Sequence, residues 1–140
     1  MISIGSDHRG FELKKKIIEN FKEFKFIDVG ADSSERSDYP VFAKKVCKNI
    51  LDGKADLGIL ICGSGVGMSI AANRFKKIYA ALCWNAEVAM NAKVDDGANV
   101  LVLPADYVST QDAFEIFKIW VANVFQGGIY QKRLDMIDTE

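Results

Sequence analysis

The sequence predicts an α/β protein in which helices cover both faces of a five-stranded parallel sheet, folded as one domain over residues 1–140. Strand-like and helix-like segments alternate five times, which is typical of parallel sheets with helical crossovers. The segment 57–61 is apolar throughout, as expected for a strand that is covered on both faces. The chain has 140 residues, 49% hydrophobic and 26% charged, which suits one globular core.

Each predicted strand is a short apolar run that stops at polar residues or at glycine. The five runs are residues 2–5, 26–29, 57–61, 78–82 and 99–103. In such sheets, ligands bind beyond the carboxyl ends of the strands. Functional residues are therefore expected just after four of the strands, at 7–8, 62–67, 84–85 and from Pro104 onward.

Helices are predicted between the strands from apolar spacing and capping residues, and a fifth begins at Ser109. The earlier four cover about 13–24, 38–53, 67–73 and 85–94. The apolar stripe of the fifth helix, 113–125, is wider than one sheet face requires. This stripe is buried either by its own chain or by a partner, and we favour a partner. The tail 127–140 is expected to form a short helix or to reach a second subunit.

Composition excludes several classes of protein. Lys and Arg number 18 against 19 Asp and Glu, so the basic excess of a nucleic-acid-binding protein is missing. No apolar run approaches the roughly 18 residues of a membrane span, and the first residues show no signal peptide. Three widely spaced cysteines cannot all pair, which indicates a reduced, cytoplasmic setting. Of these, Cys47 and Cys83 are expected in the core, whereas Cys62 borders a glycine-rich turn.

The strongest chemical signal is the turn 62–67, Cys-Gly-Ser-Gly-Val-Gly. Its glycines Gly63, Gly65 and Gly67 allow a sharp bend whose N–H groups, together with Val66 and the following helix, can cradle an anion. A thiol such as Cys62 loses its proton more readily at the start of a helix. Proton abstraction beside a carbonyl, with the N–H groups and Ser64 holding the oxyanion, suits this arrangement. The alternative is a tight turn with a structural cysteine.

Other phosphate-binding motifs fit this turn poorly. A P-loop needs Lys-Ser or Lys-Thr after the glycines, and that pair is missing. The glycine spacing is not the dinucleotide fingerprint, and the next strand ends at Cys83-Trp84 rather than at an acid. We therefore do not expect NAD to bind here.

The remaining polar candidates each have a second interpretation. Asp7 and His8 follow the first strand and can contact a ligand, although a histidine in a turn is often a capping residue. Arg133 can bind a phosphate or simply be solvated on a terminal helix. Asp95 and Asp96 can serve in acid–base chemistry. No His or Cys lies at ligand spacing from them, so no metal site is expected.

Three segments resemble the ribose-5-phosphate isomerase B family, which includes the galactose-6-phosphate isomerase subunits. They are GSDHRGFELK at 5–14, SSERSDYP at 33–40 and ADLGILICGSGVGMSIAANRF at 55–75. The resemblance covers nearly the whole chain, from residue 2 to about 137. It implies a flavodoxin-like, three-layer α/β/α sandwich and a homodimer, which can pair further into a tetramer, with active sites between subunits. It also implies interconversion of an aldose phosphate and a ketose phosphate through an enediolate, without metal or cofactor.

The resemblance assigns roles to individual residues. Cys62 matches the general base, and Ser64 with the backbone N–H groups of 63–67 matches the anion hole. Asp7 and His8 match sugar and phosphate contacts, and Tyr39 matches a residue near the sugar ring. Arg133 matches an arginine that binds phosphate from the other subunit.

Several positions depart from the family pattern. Members usually carry His-Asn-Asp before the fifth strand, where the histidine opens the sugar ring, and this chain has Asp95, Asp96 and Gly97. An arginine commonly follows the fifth strand, where Asp106 stands, and Ile129-Tyr130 replaces Arg-His. These changes weaken phosphate binding unless Arg9, Lys132 or the partner subunit supplies charge. Asp95 or Asp96 can replace the ring-opening acid if burial keeps it protonated.

Three hypotheses follow from these observations. The leading one is isomerisation of ribose 5-phosphate to ribulose 5-phosphate, a reaction of the pentose phosphate pathway, with Cys62 as base. The second is isomerisation of a different or less anionic sugar. The third is a sugar-binding paralogue without catalysis.

Overall fold

The computed structural model describes residues 1–139, which form five strands and six helices. The strands are β1 Ile2–Ser6, β2 Phe26–Asp28, β3 Leu57–Cys62, β4 Ala80–Leu82 and β5 Val100–Pro104. The helices are α1 Phe11–Asn20, α2 Tyr39–Leu51, α3 Val66–Ala72, α4 Ala86–Asp96, α5 Thr110–Ala122 and α6 Ile129–Asp138.

The strands form one parallel sheet in the order β2-β1-β3-β5-β4. This confirms the predicted flavodoxin-like α/β class, with β5 inserted between β3 and β4. The three central strands are in register, so that Ser6 pairs with Ile61 and Cys62 pairs with Pro104. Since all strands are parallel, the loops after β1, β3 and β5 lie side by side at one edge of the sheet.

Helices form the two outer layers, and a hydrophobic cluster lies between them and each face of the sheet. Helices α1, α4 and α5 contribute to the first cluster, and α2 and α3 to the second. Strand β3 supplies both, because side chains alternate along a strand: Ile59 and Ile61 join the first, whereas Leu60 and Cys62 join the second. The alternation therefore places Cys62 on the face covered by α2 and α3.

Helices α1 and α5 differ from the predicted spans. Helix α1 ends at Asn20 rather than near Phe24, and the turn that follows buries Phe21. The rings of Phe21 and Phe24 pack edge-on against Phe117 of α5, with centroids 4.8 and 5.4 Å away. On α5, Ala113, Ile116, Phe117 and Trp120 are buried by the chain itself. The chain itself therefore buries the centre of this stripe, one of the two alternatives predicted, while Val124 at its end is 79% exposed.

The tail folds as helix α6, as one of the two alternatives predicted. Leu134 is buried against the body of the domain, near Gly97 and Phe125. Asp138 accepts hydrogen bonds from the hydroxyl of Tyr79 and from the backbone N–H of Lys77. Within the described part of the chain, no helix has the length and apolar character required to cross a bilayer.

Candidate active site

The turn after β3 depends on glycine at position 65. Gly65 has φ +77°, a left-handed conformation that L side chains rarely adopt, and it precedes the first residue of α3. A Cβ atom there would lie 2.4 Å from Cδ1 of Leu82. The chain bends sharply at this point, and Cys62, the last residue of β3, lies beside the bend.

The sulfur of Cys62 is contacted by the turn. The backbone N–H of Gly65 donates a hydrogen bond to Sγ of Cys62 over 3.2 Å. A donor aimed at sulfur stabilises negative charge on that atom. The Ser64 hydroxyl in turn accepts from the N–H of Val66 at 3.2 Å, so the side chain of Ser64 also shapes the turn. Gly65 and Val66 thus support the turn without lining the cavity that it borders.

The other two cysteines lie in a different environment. Cys47 and Cys83 are fully buried, as predicted for core residues. Burial raises the pKa of each thiol to about 12, because the charged form loses its hydration. Both groups therefore remain protonated at neutral pH, and the thiolate is the reactive form of cysteine.

We expect iodoacetamide at pH 8 to modify Cys62 and to spare Cys47 and Cys83. The raised pKa of the two core thiols leaves almost no thiolate at this pH, whereas Cys62, although only 5% exposed, lines the cavity at the carboxyl edge of the sheet. Peptide mapping by mass spectrometry reports the modified residues. Modification of all three at equal rates in the folded protein would contradict this assignment.

A cavity of about 240 Å³ opens beside Cys62 at the carboxyl edge of the sheet. It is lined by the loops after β1, β3 and β5 and by the start of α2. The lining residues are Asp7, Arg9, Tyr39, Cys62, Gly63, Ser64, Gly67, Asp106 and Tyr107. Six predicted site residues therefore share one cavity, as expected from the position of strand ends in a parallel sheet.

Asp7 is a buried carboxylate held by its own loop. Its Oδ1 accepts the backbone N–H of Arg9 at 2.9 Å and that of Gly10 at 3.2 Å. Asp7 is only 6% exposed, and these two bonds satisfy one of its carboxylate oxygens. The second oxygen can accept a hydrogen bond from a hydroxyl group in the cavity.

Tyr39 lines the cavity, whereas His8, which follows Asp7 in the loop after β1, does not. The N–H of His8 donates to the Ser37 hydroxyl at 3.0 Å, and the N–H of Ser37 donates to Nδ1 of His8 at 3.2 Å. Because Nδ1 is an acceptor, a neutral His8 carries its proton on Nε2. The ring of Tyr39 covers Gly67 so closely that a Cβ on Gly67 would lie 2.7 Å from Cζ.

Three predicted site residues lie elsewhere in the chain. Asp95 accepts a hydrogen bond from Gln126 at 2.8 Å, and Asp96 lines a separate cavity of about 550 Å³ beside α6. Both precede β5 and so lie at the amino edge of the sheet. The rise along β5 places them at least roughly 13 Å from the level of Cys62. Arg133 is exposed on α6, with its guanidinium 5.3 Å from the ring of Tyr130.

The structure adds contacts that sequence reasoning did not assign. Tyr107 lines the cavity, and the guanidinium of Arg9 forms an ion pair with Asp106 across its rim. The opposite charges after β1 and β5 were a usable signal, since both strands neighbour β3. Among residues 1–139, no group of three His, Cys, Asp or Glu side chains could hold a metal ion.

Comparison with known proteins agrees with this geometry. Residues 2–137 match the family model described as Ribose/Galactose Isomerase. Ribose-5-phosphate isomerase B of Escherichia coli is 40% identical over 138 residues, covering 97% of this chain and 93% of that protein.

Solved structures of ribose 5-phosphate isomerases superimpose closely. The enzyme of Thermotoga maritima has a TM-score of 0.96 and 45% identity, covering 98% of this chain and 96% of that one. The enzyme of Mycoplasma genitalium with bound ribulose-5-phosphate has a TM-score of 0.92 and 39% identity, covering 97% and 92% of the two chains. The chain therefore belongs to the ribose/galactose isomerase family and to the class of aldose–ketose isomerases.

Proposed function

We propose that the protein interconverts ribose 5-phosphate and ribulose 5-phosphate, with Cys62 as the general base. The observation that carries this proposal is the position of the Cys62 sulfur, which lines the cavity and accepts the N–H of Gly65 at 3.2 Å. The named substrate of the relatives supports the choice of sugar. Such a reaction belongs to the pentose phosphate pathway.

The reaction requires a base beside the carbon that exchanges its proton. The Cys62 thiolate takes the C2 proton of the open-chain aldose, and the electrons of that bond form the C1=C2 double bond. The carbonyl electrons move to O1, which becomes the enediolate oxygen. Return of a proton to C1 and transfer of the O2 proton to O1 give the ketose.

The turn 63–67 stabilises the charge that develops on O1. Gly63, Ser64 and Gly67 line the cavity next to Cys62, where backbone N–H groups can donate to an oxyanion. Donors that are fixed before the reaction need not reorganise when the charge appears. The left-handed conformation of Gly65, with φ +77°, holds the turn in the shape that directs these donors toward the oxyanion.

The sugar is held by Asp7 and Tyr39 on the other walls of the cavity and by His8 next to it. Asp7 accepts hydrogen bonds from hydroxyl groups, and Tyr39 packs near the ring or chain of the sugar. His8 donates from Nε2 to substrate oxygen atoms. Its bonds to Ser37 fix the orientation of the imidazole.

We further propose that a second copy of the chain completes the site in a homodimer, which can pair into a tetramer. Arg133 lies outside the Cys62 cavity within one chain and is exposed, so it is available to another subunit. Val66 and Ile70 of α3 and Trp84 are each at least half exposed, and we assign this apolar surface to the subunit contact. The partner subunit's Arg133 would bind the phosphate.

In this homodimer, the partner subunit's Asp95 or Asp96 is the acid that opens the sugar ring. Both lie at the opposite edge of their own sheet, so neither serves the Cys62 cavity of its own chain. Without such a group, the enzyme uses the open-chain fraction of the sugar. This proposal predicts that turnover is limited at high enzyme concentration by spontaneous ring opening.

A direct assay with chelator present tests the proposed function. We expect purified protein to convert ribose 5-phosphate into ribulose 5-phosphate, and to be at least tenfold less efficient with unphosphorylated ribose. A panel of aldoses and ketoses, with and without phosphate, ranks the alternatives. If the protein turns over a different sugar and not ribose 5-phosphate, that sugar is the substrate and the assignment of ribose 5-phosphate is wrong. Binding without any turnover would identify a non-catalytic paralogue.

A further inference from the structure

An ion pair crosses the rim of the cavity directly above the glycine-rich turn. Nη2 of Arg9, from the loop after β1, donates to Oδ2 of Asp106, from the loop after β5. A Cβ atom on Gly63 would lie 2.7 Å from both Nε of Arg9 and Oδ2 of Asp106. The pair therefore rests against Gly63, the residue that follows Cys62, and a side chain at position 63 would displace it.

Arg9 is the one cationic side chain among the described residues that line this cavity. Two carboxylates, Asp7 and Asp106, line it as well, so the ionised side chains sum to a net charge of −1. The Asp7 carboxylate already accepts two backbone N–H groups. Within its own chain, the cavity thus offers an anionic ligand one guanidinium, which is already paired with Asp106.

The pairing with Asp106 is weak enough for a ligand to compete. The side chains of Arg9 and Asp106 are 57% and 35% exposed, and exposed ion pairs contribute little net stability. A phosphate group carries close to two negative charges against the single charge of Asp106. A guanidinium also has five N–H donors in a planar fork, which matches the geometry of phosphate oxygens.

We propose that Arg9 is the phosphate-contacting cation that the chain itself supplies to this cavity, beside the one proposed from the partner subunit, and that Asp106 competes with the substrate for it, so that the pair determines specificity for phosphorylated sugars. The inference deepens the proposed function and rests on its assignment of a sugar phosphate as substrate. It differs from the role given to Arg133, because Arg9 belongs to the same chain as Cys62.

Calorimetric titration of the full chain with inorganic phosphate tests the pair without requiring turnover. Arg9→Met should weaken phosphate binding about fivefold or more, since it removes the cation and leaves Asp106 unpaired. Asp106→Asn should tighten binding roughly threefold, because it frees Arg9 and removes a repulsive charge. The matched control Arg74→Met removes the same charge beside the other cavity and should leave the affinity unchanged.

Several results would overturn the proposal. They are absence of phosphate binding by the wild-type chain, wild-type affinity in Arg9→Met, or weaker binding in Asp106→Asn. If circular dichroism shows that Arg9→Met is unfolded, Arg9→Gln and the Asp106→Asn arm decide. Loss of the proposed isomerase function is a separate outcome, since the expected affinities can be observed in a protein that turns over no sugar.

Discussion

Replacement of Cys62 by alanine is expected to lower kcat by roughly 1000-fold, as typical for removal of a general base. The KM should change by less than about threefold, because Asp7, Tyr39 and the cations that hold the substrate remain. Steady-state kinetics with ribose 5-phosphate measure both quantities. The Cys62→Ser variant should be equally slow, since a hydroxyl keeps the size of the group but supplies no comparable base at neutral pH.

Cys83→Ala is the matched control for this substitution. Cys83 is also a buried thiol directly after a strand, but its pKa is about 12 and it belongs to the hydrophobic cluster on the other face of the sheet from Cys62, so it has no part in the reaction. We expect this variant to lose stability and to keep its kcat. Full activity in Cys62→Ala would remove the thiolate from the mechanism.

Mixing inactive variants extends the Cys62 experiment to the proposed dimer. If Arg133 of the partner subunit completes each site, Arg133→Ala is also impaired. Subunit exchange between the Cys62→Ala and Arg133→Ala proteins then creates mixed dimers with one intact site. Random pairing should restore about a quarter of wild-type activity. Failure to regain activity despite demonstrated exchange would place Arg133 outside the site.

Gly10→Ala is expected to destabilise the fold by about 3 kcal/mol, which is near the upper end for overpacking. A Cβ atom on Gly10 would lie 2.6 Å from the backbone oxygen of Ile61 and 2.7 Å from its Cγ2. Ile61 is fully buried in the central strand β3, and its oxygen accepts the N–H of Asp7. Neither neighbour can retreat, so α1 must move away from the sheet.

Urea unfolding followed by circular dichroism measures this loss. Gly53→Ala is the matched control, because Gly53 has φ +78° but no atom within 4 Å of an added Cβ. It should cost about 1 kcal/mol, from backbone strain alone. Equal losses in the two variants would show that crowding against Ile61 is not the cause.

The fold class was accessible from the sequence because the pattern is local. Apolar runs such as 57–61 and the alternation of elements specify parallel strands without knowledge of distant contacts. The end of α1 was not accessible. Phe21 and Phe24 continue the helical spacing, and only Phe117, almost a hundred residues away, makes it favourable for them to leave the helix. The same contacts cover the centre of α5.

The site was predictable where one motif carries it. The turn 62–67 places the thiol and the glycines within six residues, and the carboxyl-edge rule adds Asp7. Long-range pairing was not readable. In the sequence, Asp106 stands where the family pattern has an arginine, which suggested only that a cation is missing. In the structure, its carboxylate forms an ion pair with Arg9. Asp95 and Asp96 precede β5 and therefore lie at the edge of the sheet opposite to Cys62. Their distance from Cys62 became clear only from the pairing of β3 with β5.

The strand order has a consequence for how the protein moves. The cavity is built on the three inner strands, while the edge strands β2 and β4 have only three residues each. Amide hydrogens at the margins can exchange with deuterium through local fraying, but those of β1, β3 and β5 must wait for opening of the whole domain. Local unfolding can therefore open the edge strands of the sheet while the inner strands that carry the Cys62 sulfur stay folded.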